Sequence, residues 1–294
     1  MKKAQKAYFL IALVILFWST VATAFKIALR YLSVASLLFV ASLTSLVLLF
    51  TVLISTNGVA RLKNLRFHNF IYFALLSLLN PFLYYLVLFE AYALLPAQVA
   101  QPLNYTWPIV LSIFSIVFLK EKVSIFQILA IFLSFIGASI IVAERYFGVF
   151  AHISAFGVFL ALLSAFVWAS FWILNVKNEL PDVLKLFLNF LFGTVYIGIF
   201  LLLTGGLQIS PEGIPPAIFV GVFEMGITYL LFLKAISLYN TAVLSNLVYL
   251  SPFVSLLFIH LFLGETIALQ TILGLFLIVS GIVLNGVFAK QVKE

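Results

Sequence analysis

The chain has 294 residues, of which 65% are hydrophobic and only 9% charged, with a net charge of +7 and no cysteine. Soluble domains carry about 25% charged residues, so this composition excludes a water-soluble globule and places the chain in lipid. The lack of cysteine excludes disulfides, thiolate metal sites and cysteine nucleophiles.

Apolar runs of spanning length fall near 8–29, 32–54, 70–94, 98–119, 124–142, 155–176, 184–204, 216–237, 241–263 and 267–288. In hydrocarbon, backbone polar groups must be satisfied within the segment, so each run is expected to be a helix. The first run follows Met1-Lys2-Lys3 and resembles a secretory leader. It is long enough to span, and the repeat described below needs it, so it is read as retained. The longest polar loops are 55–68, 143–154, 175–185 and 205–216. With the N-terminus inside, every Lys and Arg except Lys26, Arg30 and Arg145 falls on the cytoplasmic side. Both termini are then cytoplasmic, and the expected location is the cell membrane. The bases are scattered over short loops, which suits topology rather than nucleic-acid binding.

The chain also repeats itself. Tyr85 to Gly137 aligns without a gap to Tyr229 to Gly281, pairing Tyr105 with Tyr249, Pro108 with Pro252, Glu121 with Glu265 and Gly137 with Gly281. Trp18 and Trp168 match more weakly, at a slightly longer offset. Five spans per repeat is an odd number, so the second half, 147–294, must insert upside down relative to the first, 1–146. The expected fold is all-α: ten transmembrane helices as two inverted five-helix repeats, a build used by many secondary transporters.

Phe17-Trp18-Ser19-Thr20, Leu119-Lys120-Glu121, Leu263-Gly264-Glu265 and the stretch Thr228–Gly281 resemble the EamA-type branch of the drug/metabolite transporter superfamily. Asn104-Tyr105-Thr106-Trp107-Pro108 is similar to a motif of that superfamily's aromatic amino-acid exporters. The resemblance covers nearly the whole chain and implies a ten-helix bundle with a central cavity, exporting amino acids or other small metabolites. The second segment carries no arginine where many members have one, so a contact between inner helices is expected to differ.

Ionisable and amide groups inside the bilayer are costly unless they face a cavity or a partner. Glu224 lies about 12 Å into the eighth segment at 1.5 Å per residue, and its repeat equivalent is Asn80. A carboxylate there is a candidate to carry a coupling proton or to bind a substrate ammonium. Gln101, Asn104, Tyr105 and Pro108 recur at helical spacing, so the fourth segment presents a polar face, continued by Ser112 and Ser115 with Trp107 at its edge. Ser245, Asn246, Tyr249 and Pro252 echo it in the ninth segment. Each proline is expected to kink its helix and free a carbonyl, that of Asn104 or Val248. Trp18 and Trp168 are candidates to line the same cavity. The substrate-binding set is therefore Glu224, Asn80, Gln101, Asn104, Tyr105, Trp107, Trp18, Trp168 and Tyr249.

Lys26 is expected to snorkel outward, and Glu121 and Glu265 to close helices. His260 is expected to lie deep in its segment, and the three histidines are unclustered. No phosphate loop, nucleophile motif, dinucleotide fingerprint or metal motif is present, so neither an enzyme nor a cofactor is expected. The reading is a secondary transporter of a small metabolite, with coupling to protons as an option. Transport of lipophilic drugs or lipids is the alternative, ahead of a membrane protein without transport function.

Overall fold

The computed structural model describes residues 3–56, 58–63, 65–119, 124–147, 153–176, 178–239, 244 and 247–291. Among these, the regular structure is helical. The helices are α1 (Lys3–Leu29), α2 (Val34–Ser55), α3 (Phe67–Leu94), α4 (Ala97–Asn104), α5 (Trp107–Leu119) and α6 (Ile125–Phe147). They continue with α7 (Ala155–Val176), α8 (Asp182–Leu203), α9 (Pro211–Ala235), α10 (Ser251–Leu263) and α11 (Leu269–Gln291). Among the described residues, eight helices are long and apolar enough to cross a membrane. Their outer faces are apolar as well: Leu203 is 81% exposed, and Phe132 and Phe276, a repeat-related pair, are also exposed. Water would not tolerate such a surface, and lipid does. The chain is a multi-pass membrane protein.

The segments expected at 98–119 and 241–263 are not single kinked helices. The first is interrupted by the turn residues Tyr105–Thr106 between α4 and α5, and the second by Tyr249–Leu250 before α10. Pro108 and Pro252 lie in the first turns of new helices, where the missing N–H has no intrahelical partner to lose. The disruption expected at each proline thus takes the form of a break just before it, with the proline starting the next helix. Glu121, Ser245 and Asn246 lie outside the described residues, as does the side chain of Ser115.

Two more helices are interrupted at positions that correspond between the halves. In α3 a wide turn spans Leu78–Leu83, and Asn80 adopts φ −145° and ψ 124°. The residue before a proline is pushed out of the helical region, and Pro81 follows Asn80. In α9 a similar wide turn spans Val220–Glu224, closed by Met225 N–H donating to the Val220 carbonyl at 3.1 Å. It ends at Gly226, with φ −120° and ψ −94°. Side chains mend the break: Ser45 Oγ of α2 donates to the Met225 carbonyl at 2.9 Å, and Thr228 Oγ1 donates to the Phe223 carbonyl. Inside a bilayer such irregular backbone persists only where protein groups or a wet cavity satisfy it.

Packing follows one scheme in both halves: α1 packs on the second part of α9 and on α10, as α7 packs on the second part of α3 and on α5. The tightest crossing joins α6 to α11 through glycines that let backbones meet. A Cβ at Gly137 would lie 2.5 Å from the Gly274 carbonyl, and one at Gly281 would lie 2.5 Å from that of Ala130. Residue numbers rise along α6 as they fall along α11, so the two helices are antiparallel. Ser134 Oγ donates at 3.0 Å to the carbonyl of Ile278, its own repeat equivalent. The α2–α8 pair also runs antiparallel, with Phe39 against Gly198 and Phe50 stacked on Phe187 at 5.7 Å.

Candidate functional site

Where the broken helices meet, the bundle forms a cavity of about 340 Å³. Trp18, Trp168 and Trp107 line it, with Gln101, Asn104 and Tyr105 from the α4–α5 turn and Glu224 and Tyr249 from the second half. Eight of the nine residues singled out in the sequence thus share one surface. Asn80 does not line it. It is buried with its Oδ1 unpartnered, at a turn that packs on α8, where Pro81 fills the space left by Gly193. The extended backbone before Pro81 sets Asn80 apart from its repeat equivalent Glu224, and the structure does not bring Asn80 to this surface.

Glu224 ends the wide turn of α9, half-buried, and accepts a hydrogen bond from Tyr85 Oη at 3.3 Å. Among the described residues it forms no ion pair. The Asn104 amide is engaged by its neighbours. Its Nδ2 donates to Ser164 Oγ of α7 at 2.8 Å, and its Oδ1 accepts from Tyr84 Oη at 3.4 Å. Gln101 differs: it is 1% exposed, and neither its Nε2 nor its Oε1 has a partner among the described residues. A buried amide left in that state is costly unless something else supplies the bonds.

The remaining wall is aromatic. Trp168 stands 4.5 Å from Tyr84, 5.8 Å from Tyr229 and 6.5 Å from Trp107, measured between ring centroids. Trp18 continues the row, 5.9 Å from Tyr229 and 5.7 Å from Phe232. The chain has four tryptophans, and all four, including Trp172, line this cavity.

One end of the cavity is tied down by contacts that sequence reasoning missed. Lys26 does not snorkel: its Nζ donates to the carbonyls of Tyr92 at 2.8 Å and Leu95 at 3.0 Å, capping the end of α3. Glu265, from the second half, accepts from the backbone N–H of Ala97 at 2.8 Å and of Gln98 at 3.2 Å, at the start of α4. Gln98 returns the contact by donating to the Thr266 carbonyl at 2.9 Å and accepting from Ala268 N–H at 2.9 Å. The signal for Glu265 was its place beyond Gly264, whose left-handed φ of 70° ends α10 and turns the chain back. His260 is not deep: it is exposed on the flank, with Nδ1 3.0 Å from the Glu265 carbonyl. Among the described residues, no group of His, Asp and Glu could hold a metal ion.

A lipid-facing bundle whose helices break around a largely aromatic cavity has the build of a membrane transporter. The chain belongs to the EamA-like transporter family, whose model matches it twice, over residues 5–143 and 155–287. It is similar to an uncharacterized transporter of Bacillus subtilis (strain 168), 27% identical over 74% of this chain and 72% of the relative. An uncharacterized transporter of Archaeoglobus fulgidus is 24% identical over 96% of this chain and 97% of its own. A crystal structure shares the fold with a TM-score of 0.66 at 16% identity, covering 99% of both chains.

Proposed function

We propose that this transporter carries a small metabolite across the cell membrane by alternating access, its two halves moving against each other around the central cavity. The observation that carries this reading is the cavity itself, to which both halves contribute polar and aromatic side chains beside broken helices. The twofold family match and the antiparallel α6–α11 and α2–α8 pairs support an inverted repeat of 1–146 and 147–294. In this arrangement α4–α5 and the segment ending in α10 complete ten crossings, with both termini cytoplasmic. A cavity of about 340 Å³ suits a metabolite of amino-acid size, and the family resemblance favours export. Glu224 is the candidate to carry a coupling proton when substrate is absent. Flux of labelled metabolites from proteoliposomes of the purified protein, with and without a proton gradient, tests the reading. No saturable flux of any small metabolite would remove it.

A further inference from the structure

The wall of the cavity narrows the substrate class, on the premise that this cavity is the transport site. We infer that it binds a compact organic monocation, an ammonium on an apolar or aromatic body with no carboxylate, rather than a zwitterionic amino acid.

Charge is the first ground. Glu224 is the one acidic residue in the wall, and no Lys, Arg or His lines it among the described residues. Lys26, beside the cavity residue Tyr92, commits its Nζ to the carbonyls of Tyr92 and Leu95. A ligand carboxylate would therefore meet a like charge and, among the described residues, no cationic partner in the wall. Helix N-termini are the usual substitute in broken-helix transporters. Here the first turns of α5 and α10 carry Pro108 and Pro252, each removing an N–H donor. The wall instead presents the end of α4, through Gln101 and Asn104, and a helix C-terminus favours positive charge.

The rings are the second ground. The row from Phe232 through Trp18, Tyr229 and Trp168 to Tyr84 lines the same cavity as Glu224, and aromatic rings attract cations most strongly when water is excluded. Gln101 is the third. Its unpartnered Oε1 can accept an ammonium N–H, a bond that a quaternary ammonium cannot offer.

The test uses the protein's own tryptophans, all of which line the cavity, as reporters of binding in detergent. Phenethylammonium, benzyltrimethylammonium, phenylalanine and 3-phenylpropionate are titrated against the wild-type chain. The two cations should quench saturably, phenylalanine should bind at least about tenfold more weakly, and phenylpropionate should not bind. Phenylalanine or phenylpropionate binding as tightly as phenethylammonium overturns the proposal, whether or not any variant folds. Glu224→Gln should weaken both cations by about tenfold. Unchanged affinity in a Gln variant that melts like wild type also overturns it. Gln101→Leu should weaken phenethylammonium and spare benzyltrimethylammonium. Flux in proteoliposomes separates the two readings: cation binding without flux removes transport but leaves the cation site. Phenylalanine flux without cation binding removes the cation site but leaves transport.

Discussion

Gln101 and Asn104 are one helical turn apart on α4 and both reach the cavity, yet their surroundings assign them different work. Asn104 ties α4 to Ser164 and Tyr84, so Asn104→Leu strips bonds from two buried partners. An interhelical hydrogen bond in a membrane is worth about 0.6–1.7 kcal/mol, and the variant should melt several degrees lower in detergent as well as transport less. Gln101 holds no protein group among the described residues, so Gln101→Leu should keep its melting temperature while losing about tenfold in transport. Thermal melts run alongside flux separate the two, and equal destabilisation of both would contradict this division. Glu224→Gln should lose about tenfold or more in flux with normal membrane abundance; wild-type flux would return Glu224 to a bond with Tyr85 and nothing more. Residue type and helical spacing were enough to bring eight residues to one cavity. Asn80 went astray because alignment by number cannot register what Pro81 does to the backbone before it.

At the scale of elements, hydropathy located the apolar segments but not their interruptions. The prolines at 81, 108 and 252 were visible, yet proline can kink a helix, start one or sit in a wide turn, and only packing decides. Gly226 gave no comparable warning. The glycines of α6 and α11 were legible as a repeat match, but not as a crossing. A Cβ at Gly281 would lie 2.1 Å from Ser134 Oγ and 2.5 Å from the Ala130 carbonyl. Since a backbone atom blocks the space, side-chain rotation cannot relieve it. Gly281→Val should cost about 1–3 kcal/mol and reduce the amount of folded protein recovered in detergent. Gly286, around which a Cβ meets nothing, is the control: Gly286→Ala should be recovered like wild type. Equal recovery of Gly281→Val would show that the helices separate freely.

For the whole molecule, the distribution of basic residues gives the proposed orientation, in which one end of the cavity faces outside. With the N-terminus cytoplasmic, α1 and α3 run outward, so Lys26 and Leu95 sit at the outer end. There Glu265 reaches across from the second half to the start of α4. The clamp joins the two halves beside the cavity residues Tyr92 and Gln101. Cysteines at Thr56 and Glu212 first check the frame: an impermeant reagent applied to intact cells should label only the second. Labelling of both, or only of the first, would undo the assignment of sides. Given that frame, the outer clamp is what an outward-opening step must break. Hydrogen bonds to a charged acceptor contribute about 1.5–3 kcal/mol each, and backbone N–H donors bind a neutral amide less strongly. Glu265→Gln should therefore shift the population toward the outward-open form by about tenfold. A cysteine at Tyr92, buried beneath the clamp in the wild-type arrangement, reports the shift. Its alkylation from outside should accelerate in the Gln variant and slow when a ligand that favours the closed form is added. The Lys26 hydrogen bonds stay within the first half, while Glu265 bonds across the halves, so Lys26→Met should loosen the end of α3 with a smaller rise. If Glu265→Gln leaves alkylation at position 92 unchanged, Glu265 fastens α4 in every state and the gate lies elsewhere.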